Sequence, residues 1–217
     1  MTDADYVIKV VLCGAFGCGK TSLATRYARN TFQPDYKATI GVDFFVRITA
    51  GPGALHTFKL HIWDTSGQER YASVMPQWFR GAQVCCFVFD VCRRDSFEAL
   101  DYWLQQAQHC GTGDVLRFLV AAQTDRSKSL RVIDRDEAML FATKHGLHYA
   151  ETSALTGEGV EELFETIVDV YDKQSARRAL NGEAQPQDRL TFEESVLLTQ
   201  QQTLTESRPQ RRKNCLC

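Results

Sequence analysis

Eight consecutive residues, Gly14-Ala15-Phe16-Gly17-Cys18-Gly19-Lys20-Thr21, satisfy the pattern G-x-x-x-x-G-K-[ST]. The chemistry that asks for these residue types at this spacing is the capture of a polyphosphate. Glycines let the backbone curl until successive N–H groups point inward at phosphate oxygens, and a following helix adds the positive end of its dipole. Lys20 then reaches the β- and γ-phosphates as a point charge, while the Thr21 hydroxyl can ligate Mg²⁺. The pattern makes a site only between a strand and a helix. Tyr6 to Leu12 is an apolar, β-branched run of buried-strand length, and Ser22 to Ala28 holds no Pro or Gly to interrupt a helix. A chance glycine turn would lack those flanks. Gly14, Gly17, Cys18, Gly19, Lys20, Thr21 and Ser22 are therefore expected to bind a nucleoside phosphate. A metal-bound triphosphate also needs an acidic group at the end of a neighbouring strand, and Asp64, closing the apolar run Leu60 to Trp63, is placed to supply it.

The elements that must position these groups follow from periodicity. After the first helix, residues 31 to 38 read as a polar loop, and strand character resumes from Thr39 to Val46. The chain turns at Ala50-Gly51-Pro52-Gly53 and returns as Thr57 to Asp64, a hairpin that makes one strand antiparallel. Val84 to Phe89 and Val115 to Ala122 are further buried strands. Asp95 with Glu98, and Asp134 with Glu137, read as capping boxes that open two helices, the second stopped by Gly146. A short strand, His148 to Glu151, precedes a last helix with Val160, Leu163, Phe164, Ile167, Val168 and Tyr171 at helical spacing. Strands alternate with helices, so the expected fold is α/β: a doubly wound, six-stranded, mostly parallel sheet with one antiparallel strand. Ligands in such sheets sit at the carboxyl ends of the strands.

Composition excludes several classes. A formal net charge of −2 gives no whole-chain argument for nucleic acid binding, and no apolar run is long enough to span a bilayer. No signal peptide is expected, because Asp3 and Asp5 stand where a basic n-region would. Cys13, Cys85 and Cys86 lie inside apolar strands as small hydrophobes, which suits a reducing compartment better than a disulfide framework.

Further segments carry a resemblance. Trp63-Asp64-Thr65-Ser66-Gly67-Gln68-Glu69-Arg70 resembles the WDTAGQER segment of Ras-like small GTPases, and Tyr36 to Phe44 is similar to the first switch of the Rab branch. Trp78-Phe79-Arg80-Gly81-Ala82 resembles that branch's YYRGA, and Cys215-Leu216-Cys217 its C-x-C ending. The resemblance covers about residues 6–172 and the last three. It implies a P-loop small G domain over 1–173, and a membrane-anchored GTP/GDP switch with Mg²⁺ that regulates vesicle traffic. By the same resemblance, Thr39 joins Thr21 and Asp64 as a metal ligand, and the Gly67 N–H meets the γ-phosphate. Gln68 orients the attacking water and acts with Lys20 in catalysis, while Phe32 stacks on guanine and Tyr36 lies at the nucleotide. Ile40 and the aromatic triad Phe44, Trp63 and Trp78 would face effectors, although sheet aromatics also serve as ordinary core. Exchange factors, activating proteins, a prenylation escort and a dissociation inhibitor are the implied partners of a monomer, with no nucleic acid among them.

Three departures qualify the resemblance. Where the family has N-K-x-D, this chain has Ala122-Gln123-Thr124-Asp125. Asp125 keeps the carboxylate that reads the guanine N1–H and N2–H, but the Asn amide and the Lys stem, which buttress base and phosphate loop, are absent. Ser153-Ala154-Leu155 stands for S-A-K, removing another lysine. At about 1–1.5 kcal/mol per lost polar contact, affinity should fall on the order of 10²–10³-fold while guanine preference persists. Phe16 replaces a small residue beside the γ-phosphate. Its ring should crowd Gln68 and any arginine finger, a group worth about 10³–10⁵ in rate in Ras. Ser66 for Ala adds a hydroxyl nearby. These changes also leave open a pseudo-GTPase scaffold with little or no hydrolysis. A P-loop kinase would need a lid and acceptor pocket, for which the chain shows no insertion.

From Gln174 onward periodicity fades, and 174–217 reads as a flexible tail, with Thr191 and Glu194 only weak signs of a short helix. Cys215 and Cys217 suit double prenylation, and two lipid chains anchor where one binds marginally. Arg208, Arg211, Arg212 and Lys213 would add about 1 kcal/mol each at an anionic leaflet. The expected location is the cytoplasmic face of endomembranes, with a cytosolic pool.

Overall fold

The computed structural model of the chain describes residues 4–34, 38–68, 75–110 and 114–181. Tyr36, Cys215, Cys217 and the tail beyond Asn181 lie outside the described residues. Six strands form one sheet: β1 (Tyr6–Cys13), β2 (Val42–Ala50), β3 (Thr57–Thr65), β4 (Val84–Asp90), β5 (Leu116–Ala122) and β6 (His148–Glu151). Their order is β2-β3-β1-β4-β5-β6, antiparallel between β2 and β3 and parallel elsewhere. Successive connections leave β1 in opposite directions, so the carboxyl end of β1 is the switch point where an α/β sheet opens a crevice.

Strand alternation divides the core into two layers. Ile8, Val10 and Leu12 of β1, with Val84, Cys86 and Val88 of β4, face α1 (Lys20–Arg29) and α6 (Val160–Leu180). There Tyr27 stacks on Phe164 at 3.7 Å between ring centroids. The alternate residues Val11, Cys13, Cys85, Phe87 and Phe89 pack against α2 (Met75–Phe79), α3 (Arg94–Glu98), α4 (Leu100–Cys110) and α5 (Arg135–His145). Cys13, Cys18, Cys85 and Cys86 are buried free thiols, as expected of small hydrophobes.

The edge strand β2 is tied down at its middle. Arg47 donates to both carboxylate oxygens of Glu161 on α6, at 2.9 and 2.7 Å, and to the Tyr27 carbonyl of α1 at 2.7 Å. Its guanidinium lies 4.2 Å over the Tyr27 ring, an arrangement that a bidentate fork allows and an ammonium does not.

Element boundaries differ from expectation at informative places. The Asp134–Glu137 cap is present, with the Glu137 N–H donating to Asp134 Oδ1 at 2.7 Å, and Gly146 ends α5 at φ +65. Asp95 is not an N-cap: α3 starts one residue earlier, Arg93 holds the extended cap position, and Asp95 binds Arg93 within the first turn. Residues 39–41 are not strand, since β2 begins at Val42, where pairing with Thr65 starts. The last helix continues to Leu180, past the point where apolar periodicity fades, and its exposed end is maintained by backbone hydrogen bonds instead.

Asp134→Ala removes the side-chain acceptor for the Glu137 N–H and should cost about 1 kcal/mol, read as a lower urea midpoint at unchanged slope.

Candidate functional site

Loops after five of the six strands meet at one cavity of about 610 Å³, a volume usual for small-molecule sites. Its floor is the phosphate loop, and the loop fits because of missing side chains. Gly14 has φ +146, and a Cβ there would stand 2.1 Å from the Val88 carbonyl oxygen of β4. Any side chain would lift the loop off the sheet. On the opposite side, a Cβ on Gly67 would meet Phe16 N at 2.4 Å and Ala15 C at 2.5 Å, so the segment after β3 rests directly on the loop. Gly19 takes φ +105 as the N-cap of α1 and, with Gly17 and Ser22, lines the cavity, while Cys18 turns into the core. Lys20 is only 5% exposed and spans the loop, donating from Nζ to the Gly14 and Ala15 carbonyls at 2.8 and 2.9 Å.

Three oxygen-bearing side chains converge beside the loop. Thr21 Oγ1 lies 2.6 Å from Asp64 Oδ2 and 2.8 Å from Thr39 Oγ1, and Thr39 Oγ1 lies 3.3 Å from the same Asp64 oxygen. Asp64 is fully buried and its other oxygen, Oδ1, is without a hydrogen-bond partner among the described residues. Burial pushes its pKa up to about 6, against the hydrogen bonds from Thr21 and Thr39 and the charge of Lys20. A buried carboxylate with a vacant lone-pair site is completed by a cation. Hydroxyl and carboxylate oxygens fit Mg²⁺, which takes few protein ligands and fills its octahedron with phosphate oxygens and water.

At the far end of the cavity, Asp125 follows β5 and its Oδ1 accepts from the fully buried Ser153 hydroxyl at 2.6 Å. Ala154 and Leu155 form the adjoining wall, where Arg26 of α1 holds their carbonyls at 2.6 and 2.8 Å. Half-buried Phe32 also lines the cavity. Gln123 adopts φ +65 and donates from Nε2 to Asp90 Oδ2 at 2.8 Å. Asp90, itself 1% exposed, accepts the Cys92 N–H at 2.8 Å through its other oxygen. Ala122 offers only a methyl group.

The sequence-based expectations meet mixed outcomes here. Phe16 lines the cavity and is 41% exposed, as its position suggests. Ser66 is buried, and its hydroxyl accepts the Gln68 N–H at 3.4 Å. Gln68 itself is half-buried beyond the cavity wall, so it is not brought to the phosphate end with Lys20. The aromatic triad is not displayed as a unit. Trp63 of β3 and Trp78 of α2 are each 4% exposed because both belong to the core layer on that face of the sheet, with Lys9 Nζ covering the Trp63 ring at 3.8 Å. Phe44, edge-on to Trp63, is half-buried, and Ile40 is 79% exposed. Sequence reasoning missed Asp90 and Arg93, both on the cavity wall. Asp90 ends a strand as Asp64 nearly does, a signal that was available; Arg93 carried none.

A phosphate loop at the switch point of a sheet with one antiparallel edge pair defines a P-loop nucleotide-binding domain of the small G type. Residues 9–173 match the sequence model of the Ras family, and the chain belongs to that family. It is 41% identical over 168 residues to Ras-related protein Rab-18-B of Danio rerio, covering 77% of this chain and 80% of that relative. With Ras-related protein Rab-18 of Caenorhabditis elegans the identity is 40% over 163 residues, 75% of this chain and 78% of the other. The chain is thus a Rab-like small GTPase, a nucleotide-dependent switch, and its family implies GTP/GDP and Mg²⁺ binding and GTP-hydrolysing capability.

The raised pKa of Asp64 has a definite sign. Its stability contribution is complete below the unfolded value near 4 and is lost as pH rises through about 6. With Mg²⁺ chelated, Asp64→Asn should therefore be more stable than the parent above pH 6, by about 1–3 kcal/mol. That difference should vanish below about pH 4, and added Mg²⁺ should raise the melting temperature of the parent alone.

Proposed function

We propose that this chain is a prenylated, membrane-tethered guanine nucleotide switch of vesicle traffic that holds its nucleotide loosely and hydrolyses GTP slowly. The observation that carries the reading is the Thr21–Thr39–Asp64 cluster beside Lys20, with one Asp64 oxygen left for a cation. Thr21 and Asp64 belong to the fixed framework of α1 and β3, whereas Thr39 lies in an irregular segment. A segment that, among the described residues, reaches the metal cluster through one hydroxyl can be gained or lost with a single phosphate. Gly67, resting on the phosphate loop, gives the second segment the same dependence.

Within this reading Thr21, Thr39 and Asp64 hold Mg²⁺, whose role is to neutralise phosphate charge. The loop N–H groups and Lys20 bind the phosphates, Asp125 reads guanine, Gln123, Ala154 and Leu155 adjoin the base, and Phe32 and Tyr36 contact the nucleotide. Gln68 orients the attacking water. Ile40 and Phe44 meet effectors, Trp63 and Trp78 supporting them from below. Cys215 and Cys217 carry the lipid. Loose binding follows from the neutral Gln123–Asp90 contact, where a family lysine would have supplied a cation, and from the bare Ala122 methyl. Slow hydrolysis is expected because Phe16 lines the cavity, where its ring would crowd Gln68 and an incoming arginine.

A second reading, a scaffold that binds nucleotide weakly without turnover, is favoured by that same ring. Titration with GTP, GDP and ATP followed by timed phosphate release separates the two. The switch reading requires guanine-selective binding and slow but measurable phosphate release; binding without any turnover leaves the scaffold. Phe16→Gly should raise GTP hydrolysis, with and without an activating protein, by at least about tenfold. Labelled GDP should leave the parent faster than is usual for the family.

A further inference from the structure

Arg93 reaches the site from outside every motif. It is the N-cap residue of α3, and its guanidinium is used on both edges. Nη2 and Nε donate to the two Asp95 oxygens at 2.5 and 3.3 Å, while Nη1 donates to the main-chain carbonyl of Phe16 at 2.9 Å. A guanidinium is a rigid planar fork, so Asp95 on one edge aims the other edge at the phosphate loop. The same Nη1 lies 3.3 Å from where a Gly17 Cβ would stand, which places the cation against the loop. Meanwhile Gln123, at the family's lysine position, directs its amide N–H to Asp90.

We propose that Arg93 is a positioning residue for the nucleotide: it pins the Phe16–Gly17 peptide and so takes the bracing role of the missing lysine at 123. The physical link is the planarity of that peptide. In a trans peptide the Phe16 C=O and the Gly17 N–H point in opposite directions. Holding the carbonyl on Arg93 turns the Gly17 N–H to the opposite side of the peptide, and Gly17 lines the cavity. Asp95 aligns the fork, and Asp90 adds a second negative charge that favours a cation here. A peptide plane that could otherwise rotate is fixed before nucleotide arrives, which reduces the ordering cost of binding.

This inference rests on the proposed nucleotide binding, and the test separates the two. Full-length protein is loaded with fluorescent GDP in Mg²⁺ and chased with unlabelled GDP, for the parent, Arg93→Ala, Arg93→Lys, Gln123→Lys and the Arg93→Ala/Gln123→Lys pair. Arg93→Ala should release the label about five- to tenfold faster, the size of one charge-assisted hydrogen bond weakened by solvent exposure. Arg93→Lys should behave nearly the same, because an ammonium cannot grip Asp95 and the Phe16 carbonyl at once; being milder, it also keeps the test valid if the alanine variant fails to fold. Gln123→Lys should slow release more in the Arg93→Ala background than in the parent, since in the parent Arg93 already braces the loop and the added lysine is redundant. A release rate within about twofold of the parent for both Arg93 variants overturns the proposal, as does an equal Gln123→Lys effect in the two backgrounds. A parent protein that takes up no labelled GDP overturns the nucleotide reading itself.

Discussion

Gly14 has no Cβ, and the Val88 carbonyl stands where one would be. From that close approach the rest of the site follows. With the loop seated on β4, α1 starts at Lys20, Lys20 folds back over the loop, and Thr21 falls beside Asp64. Gly67 repeats the device from the other side, letting the chain after β3 lie on the same backbone. Two absent side chains therefore bring together segments from the ends of three strands.

The site is also an electrostatic frame built ahead of its ligand. Asp64 and Asp90 are both buried, at the ends of strands on either side of β1. Buried carboxylates demand partners, and these two receive different ones. Asp64 receives hydroxyls and keeps one oxygen vacant, which suits a hard cation. Asp90 receives neutral N–H groups on both oxygens. Positive charge at the loop accordingly comes from Lys20 within it and from Arg93 against its side.

Much of this was legible in the sequence. Continuous apolar runs marked the central strands β1, β4 and β5, because burial on both faces selects β-branched and aromatic residues whatever the tertiary detail. The phosphate loop and the Asp134 cap were legible because each is a local arrangement whose residue types have few other uses. Other features depend on contacts distant in sequence. Asp95 has the pattern of a cap, yet Arg93 claims its carboxylate. Trp63 and Trp78 look the same in sequence whether displayed or buried; both join one core layer, and Lys9 covers the Trp63 ring. Arg93 and Arg26 act through main-chain carbonyls, and a carbonyl acceptor leaves no trace in residue identity.

The clamp at Arg47 bears on how motion is confined. Because β2 is riveted at mid-length to both α1 and α6, the irregular stretch that carries Thr39 hangs from a post rather than from a loose ribbon. On the proposed switch reading, movement of Thr39 relative to Asp64 would be taken up ahead of Val42 and would not peel the hairpin from the sheet. The domain can thus alter its outline at one rim while its hydrophobic interior keeps a single packing.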